Sequence, residues 1–210
     1  MSQERRRGLL AAATLIGPLL AGIAIIAVGH FAGSPAGAPG RHRADAEPVR
    51  RQAGAPATAG EAAPPVRLED AGTASRFESA SLAGRPYAVV FASTRCTGLG
   101  KELRQVLDAL GNRPAGPLLL AISSEPGVDS APRVRRWLSR FGLGGRLPYL
   151  IGDEDQLRPY WTAWGATRGS GCETPLFHLV NSAGRNAGVV ALAPRAPVAG
   201  LVDDLAALTP

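Results

Sequence analysis

A run of twenty uncharged, mostly apolar residues, Leu9–Val28, lies close to the N-terminus and constrains the architecture more than any other feature. Since a helix rises about 1.5 Å per residue, such a run spans about 30 Å, the thickness of the hydrocarbon core of a bilayer. Arg5–Arg7 precede the run, and no comparable basic cluster follows it closely. The positive-inside rule therefore predicts a single transmembrane anchor over residues 9–29, with residues 1–8 in the cytoplasm.

A cleaved signal peptide is the alternative interpretation of the same run. Signal peptides carry an apolar region of about 7–15 residues followed by a cleavage site of small residues. Residues 36–38 are small, but Pro39 would follow the cut, and the apolar run is too long. We therefore favour a retained anchor in the inner (cytoplasmic) membrane. Both interpretations place the rest of the chain in the periplasm or otherwise outside the cytoplasm.

The segment from residue 30 to residue 65 is rich in alanine, proline and glycine and shows no apolar periodicity. Such a segment cannot bury enough apolar surface to offset the entropy lost on ordering. We therefore expect residues 30–65 to form a disordered linker between the anchor and a folded domain.

From residue 66 to residue 210, short apolar runs alternate with stretches of helical periodicity, which is typical of an α/β domain. Strands are predicted at 86–92, 117–123, 147–151, 176–180 and 186–192. Helices are predicted at 98–110, at 131–141, at 155–164 with an interruption at Pro159, and at 197–208. This order predicts a mixed central sheet with helices on both faces, which is the thioredoxin-like plan with an inserted helical segment.

The composition excludes several classes of protein. The net charge of +6 at pH 7 invites comparison with nucleic-acid-binding proteins, but the excess basic residues are spread along the whole chain. We therefore expect no nucleic-acid partner. Two cysteines are too few for a disulfide scaffold, and three scattered histidines lack the spacing of a zinc finger.

Four segments of the domain form a distinctive series in their order and spacing. They are Leu82–Cys96, Gly142–Gly152, Gln156–Gly165 and Thr174–Arg185. Together they resemble the Sco/SenC-type, thioredoxin-like family of copper-handling and cytochrome oxidase assembly proteins, over about residues 66–210. The resemblance implies an exported, membrane-tethered domain that handles copper, with a respiratory oxidase or its assembly factors as partners.

In that family, two cysteines in a C-x-x-x-C motif and a distant histidine bind the metal. Cys96 matches the first cysteine, whereas the second position falls on Gly100 and the histidine position falls on Glu173. The ligand set of the family is therefore absent. The C-x-x-C motif of a dithiol oxidoreductase is absent as well, because Leu99 takes the place of the resolving thiol. We therefore do not expect a dithiol enzyme.

The two cysteines of the chain both fall at motif positions of the resemblance. Cys96 would lie between a core strand and the N-terminus of the next helix, where a helix dipole favours a thiolate. Cys172 comes three residues before Pro175, which takes the place of the cis-proline of the fold. We hypothesise that Cys96 and Cys172 share one site, either as a disulfide or as two thiolates that bind Cu(I). Two unrelated cysteines, one of them buried and inert, remain the alternative.

Two further functions stay open at this stage. A non-catalytic interaction domain, or an accessory subunit of a membrane respiratory complex, would not need the missing ligands. A single-thiol redox protein would use Cys96 alone, because Ser93-x-x-Cys96 is superficially similar to the Thr-x-x-Cys motif of peroxiredoxins. His178 lies among the apolar residues of a predicted strand, so we expect it to pack against them and not to bind a ligand.

Overall fold

A computed structural model of the protein describes residues 59–111, 116–192 and 198–208. The predicted anchor at 9–29, the predicted cytoplasmic residues 1–8 and the linker up to residue 58 lie outside these ranges. Within them, no helix has both the length and the apolar character needed to cross a membrane.

The described residues form seven strands, four α-helices and one short 3-10 helix. The strands are β1 Arg67–Asp70, β2 Ser75–Glu78, β3 Tyr87–Ala92, β4 Leu118–Ser123, β5 Tyr149–Ile151, β6 Leu176–Val180 and β7 Asn186–Ala191. The helices are α1 Thr97–Leu110, α2 Ala131–Phe141, α3 Glu154–Trp164 and α4 Val198–Ala207, and the 3-10 helix Ser79–Leu82 precedes β3. Every strand and helix predicted from the sequence is present, with ends displaced by at most two residues.

All seven strands belong to one sheet, in the order β2-β1-β5-β4-β3-β6-β7. The central strands β3, β4 and β5 are parallel, whereas β1, β6 and β7 pair antiparallel with their neighbours. Parallel neighbours need a crossover connection, which α1 supplies between β3 and β4 and α2 supplies between β4 and β5. The predicted thioredoxin-like α/β fold with a mixed sheet is therefore confirmed.

Helices cover both faces of the sheet, and β3 shows how its residues divide between them. Ala88, Val90 and Ala92 pack in a cluster with buried residues of α1, α2 and α4. Tyr87, Val89 and Phe91 pack on the opposite face against α3. Successive side chains of a strand point to opposite faces, so a strand that is buried throughout reads as one continuous apolar run.

The hairpin of β1 and β2 was not predicted from the sequence. Its two strands, RLED and SRFE, contain five charged residues and no apolar run. Strand pairing holds the hairpin in the sheet, because β1 lies antiparallel to β5 with Asp70 opposite Leu150. The Asp70 carboxylate also accepts hydrogen bonds from the Gly72 N–H at 3.0 Å and the Thr73 hydroxyl at 2.8 Å, which closes the turn between the strands.

Helix α3 continues through Pro159, so the predicted interruption is wrong. The helix starts with a capping box, in which Asp153 accepts from the Gln156 N–H at 2.8 Å and the Gln156 side chain accepts from the Asp153 N–H at 2.9 Å. Its apolar face is buried against the sheet through Leu157, Trp161 and Trp164. Capping and burial together outweigh the hydrogen bond that Pro159 cannot donate.

Residues 60–63, which belong to the predicted 30–65 linker, lie against the turn between β6 and β7. Ala62 forms a β-bridge with Arg185, and the Gly60 N–H donates to the Asn186 carbonyl at 2.8 Å. The Arg185 guanidinium donates in turn to the Gly60 carbonyl at 2.8 Å. These bonds attach the chain to the folded domain before residue 66.

Candidate functional site

Cys96 and Cys172 are joined by a disulfide bond, with their Cα atoms 5.0 Å apart. Cys96 is the N-cap residue of α1 and is only 6% exposed. Cys172 is exposed and lies in the loop that connects α3 to β6. The bond therefore joins the start of the first core helix to the loop that precedes the late strand, across a sequence separation of 76 residues.

A short polar turn holds Cys96 at the end of β3. The Cys96 N–H donates to the Ser93 carbonyl at 2.9 Å. The Ser93 hydroxyl donates to one carboxylate oxygen of Glu125, and the Arg95 guanidinium lies 3.4 Å from the other. Glu125 follows β4, so this carboxylate links the ends of two parallel strands.

A second carboxylate, Asp129, is buried beneath the same turn. It accepts from the Thr94 N–H at 2.9 Å, from the Thr94 hydroxyl at 2.7 Å, from the Ser123 hydroxyl at 2.7 Å and from the Tyr149 hydroxyl at 3.0 Å. Burial raises the pKa of Tyr149 well above its usual value, and the negative charge of Asp129 raises it further. Tyr149 therefore remains a protonated donor, and the four hydrogen bonds fix the backbone two residues before Cys96.

The loop that carries Cys172 is packed directly on the sheet. The Gly169 N–H donates to the Ser124 carbonyl at 3.0 Å, and the Ser124 hydroxyl donates to the Ser170 carbonyl at 2.9 Å. Gly171 has a φ of +91°, and a Cβ at this position would collide with the carbonyl oxygen of Phe91. Only glycine allows this approach of two backbones, and the approach brings the next residue, Cys172, to the end of β3.

A cavity of about 420 Å³ opens beside Cys172 on the α3 face of the sheet. Its walls include Phe91, Ala166, Leu176 and His178, together with the loop residues 169–174.

His178 is the buried polar group of this cavity, being 3% exposed. The edges of its ring meet Phe91 and Trp164, with centroid separations of 5.9 Å and 5.3 Å. Its Nδ1 atom has no hydrogen-bond partner within the described part of the chain. Burial lowers the pKa of the imidazole from 6.5 to about 4, so His178 is neutral at pH 7.

The positions that the resemblance assigns to the second cysteine, to the histidine and to a resolving thiol lie in different environments. Gly100 is buried in α1, and a Cβ there would lie 2.6 Å from Cε2 of Phe141 in α2. Glu173 is exposed next to Cys172. Leu99 is 2% exposed and belongs to the core. Pro175 is buried directly before β6, where its carbonyl accepts from the Leu192 N–H at 3.0 Å.

The arrangement offers a metal two sulfur atoms. Among the described residues, no group of three or more histidine, cysteine, aspartate or glutamate side chains is placed to hold a metal ion. Two-electron reduction of the disulfide would give two neighbouring thiols, and soft thiolates are the donors that select Cu(I). The donor set therefore fits a thiophilic ion and does not fit a hard cation such as Mg²⁺.

Asp129 and Glu125 were missed by the sequence analysis. A signal was present in Ser123 and Ser124, which are polar residues at the end of an otherwise apolar strand. The carboxyl ends of parallel strands meet at one edge of a sheet, so polar residues after β3 and after β4 are expected to lie together.

No family model matches the chain, and no curated protein matches it in sequence. Solved structures do match its fold. BsSco, a member of the Sco family of cytochrome c oxidase assembly proteins in which a disulfide switch was identified, superimposes with a TM-score of 0.59 at 13% identity, over 71% of this chain and 94% of BsSco.

Copper-bound ScoI from Bradyrhizobium japonicum matches with a TM-score of 0.53 at 24% identity, over 70% of this chain and 98% of ScoI. A thiol:disulfide interchange protein of the thioredoxin family from Chlorobium tepidum matches with a TM-score of 0.54 at 20% identity, over 73% of this chain and 99% of that protein. At these identities the comparisons establish the fold. The predicted resemblance to Sco/SenC proteins is confirmed, since such proteins are among the structural neighbours.

Proposed function

We propose that this protein is an exported, membrane-anchored accessory factor in copper handling or respiratory oxidase assembly, and that its reduced Cys96 and Cys172 bind Cu(I). The observation that carries the proposal is the disulfide between the N-cap of α1 and the loop before β6. The proposed anchor is the segment 9–29, and the basic residues before it predict, by the positive-inside rule, that the domain lies on the periplasmic side of the inner membrane. The likeness of the fold to copper-bound ScoI supports the choice of metal.

The surroundings of Cys96 favour a thiolate after reduction. Its side chain stands at the N-cap of a fourteen-residue helix that has no acidic residue in its first turn. Unpaired N–H groups and the helix dipole at this end stabilise a negative charge. A thiolate is the form of cysteine that binds metals.

Cys172 provides the sulfur that position 100 does not. Phe141 occupies the space into which a side chain at Gly100 would project. Cys172 instead reaches Cys96 on the loop between α3 and β6, which Gly171 holds against β3. The two sulfurs therefore form a pair in this chain although the C-x-x-x-C motif is lost.

Anaerobic titration of the reduced full chain with Cu(I), in competition with a Cu(I) chelator, tests the proposal. We expect one tightly bound Cu(I) per chain, and we expect Cys96→Ser and Cys172→Ser each to lower its affinity by at least tenfold. Glu173→Gln is the matched control, since it changes the exposed neighbour of Cys172 and leaves both sulfurs in place. Binding that persists unchanged in the Cys96→Ser, Cys172→Ser double variant would refute the assignment.

A non-catalytic interaction domain is the second candidate. It is favoured by the lack of a third metal ligand among the described residues, since a disulfide alone also serves as a structural cross-link. Co-purification of a respiratory oxidase with both the wild-type chain and the double cysteine variant would support it. A single-thiol redox role for Cys96 applies only to the reduced chain, because the structure holds this sulfur in the disulfide.

A further inference from the structure

The two sulfurs of the disulfide have very different surroundings. Cys96 is 6% exposed and closes the polar turn at the end of β3. Cys172 is exposed and forms part of the wall of the 420 Å³ cavity, to which Cys96 does not contribute. An incoming nucleophile can therefore reach Cys172 more readily than Cys96.

We propose that an external thiol enters this cavity and opens the disulfide at Cys172, with Cys96 as the leaving group. The proposal rests on the proposed function, because Cu(I) binding by Cys96 and Cys172 requires that their disulfide can be reduced. It adds the route by which the pair is reduced and the class of molecule that reduces it.

The step balances with the thiol as the only reductant. The external thiol gives its proton to solvent, and its sulfur forms a new bond to Cys172 Sγ. The Cys96–Cys172 bond breaks, and its electron pair leaves on Cys96 Sγ as a thiolate. A second thiol then attacks the external sulfur of the mixed disulfide and releases Cys172. Two thiols are thereby oxidised to one disulfide, and the protein disulfide is reduced to two thiols.

Cys96 is the better leaving group because of its place in the fold. Thiol exchange is faster when the departing thiolate is stabilised. The N-terminus of α1 stabilises a thiolate at its N-cap residue. No side chain caps this end of the helix through a hydrogen bond. Cys172 lies in an exposed loop next to the carboxylate of Glu173, and it belongs to no helix.

The walls of the cavity indicate the class of thiol. Phe91, Ala166 and Leu176 provide an apolar surface for an alkyl group. His178 is also part of the wall, where it is 3% exposed. The backbone of the exposed residues 172–174 makes no hydrogen bond to the rest of the described chain. An alkyl thiol flanked by amide groups, as in a cysteine-containing peptide, matches the apolar wall and the unpaired backbone of residues 172–174.

The position of the mixed disulfide provides the first test. The oxidised, copper-free full chain is mixed with the blocked tripeptide Ala-Cys-Ala, quenched at successive times with excess N-ethylmaleimide, and mapped by peptide mass spectrometry. We expect the tripeptide on Cys172 and the maleimide on Cys96 in at least tenfold excess over the reverse pattern. Equal amounts of the two patterns, or an excess of the reverse, would overturn the proposal.

A variant that narrows the cavity provides the second test. Ala166→Leu adds bulk to the wall, whereas Thr162→Leu adds similar bulk to an exposed position of α3 that does not line the cavity. We expect Ala166→Leu to slow opening by the tripeptide at least fivefold and Thr162→Leu to leave the rate unchanged. Equal rates in the two variants would contradict entry through the cavity. Both tests use copper-free protein, so their failure is distinct from failure of the Cu(I) titration.

Discussion

His178 ties the stability of the domain to pH. Its pKa is lowered by burial to about 4 in the folded chain, against 6.5 for an exposed histidine. Between these values the unfolded chain binds a proton that the folded chain does not, so this contribution to the free energy of unfolding is complete above pH 6.5 and is lost as the pH falls towards 4. The loss amounts to about 3 kcal/mol.

Urea unfolding of the wild type and of His178→Phe at pH 7 and at pH 4 measures this contribution. The phenyl ring keeps the contacts with Phe91 and Trp164 and cannot bind a proton. We expect the wild type to lose about 3 kcal/mol more than the variant over this interval. Parallel losses in the two proteins would show that His178 titrates normally in the folded chain.

Single residues also mark the limit of prediction from sequence. The convergence of Cys96 and Cys172 followed from their positions in a resemblance to a known family. The hydrogen bonds of Asp129 did not follow, because this residue comes six positions after the end of β4 in an irregular loop. A carboxylate in such a loop is usually solvated, and only the complete fold shows that Thr94, Ser123 and Tyr149 surround it.

At the scale of elements, α1 and α2 are in contact where Gly100 faces the ring of Phe141. Alanine in a helix interior is usually about 1 kcal/mol more favourable than glycine. In this position its methyl group would have to displace Phe141, and overpacking of this kind costs about 1–3 kcal/mol. We therefore expect Gly100→Ala to destabilise the wild type.

A double-mutant cycle tests the contact between the two helices. In the Phe141→Ala background the same Gly100→Ala change meets open space, so we expect it to become neutral or stabilising by up to about 1 kcal/mol. Urea unfolding of the four proteins gives the coupling energy. An additive cycle would mean that Phe141 moves aside at no cost. The same contact would oppose a cysteine at position 100.

Elements with an apolar pattern of their own were predictable, and the charged hairpin of β1 and β2 was not. β3 and α1 carry their own signals, which are a continuous apolar run and a regular apolar stripe. β1 and β2 carry mostly charged residues and exist because β5 offers a free edge, which is information from another part of the chain. The continuity of α3 through Pro159 likewise depends on tertiary burial of Trp161 and Trp164, which local propensity does not include.

At the scale of the whole molecule, the disulfide closes a large loop that contains the strands β4 and β5 and the helices α1, α2 and α3. Cross-linking residues 76 positions apart restricts the unfolded chain by an amount equivalent to about 4 kcal/mol in the loop-entropy model. We therefore expect reduction of the full chain to lower its free energy of unfolding by up to about 4 kcal/mol. Urea unfolding with and without a strong reductant measures the change, and the Cys96→Ser, Cys172→Ser double variant is the control that must not respond. A reductant effect of equal size in this variant would rule out the disulfide as its source.

The attachment of residues 60–63 to the turn between β6 and β7 gives the domain a direction. This turn comes after the last residue of β6, whereas Cys172 and Pro175 come before the first residue of β6. The strand therefore separates the two points by roughly 15 Å. The chain therefore joins the folded domain at one end of β6 and carries the sulfur pair at the other, so a partner bound at the pair leaves the attachment of residues 60–63 uncovered.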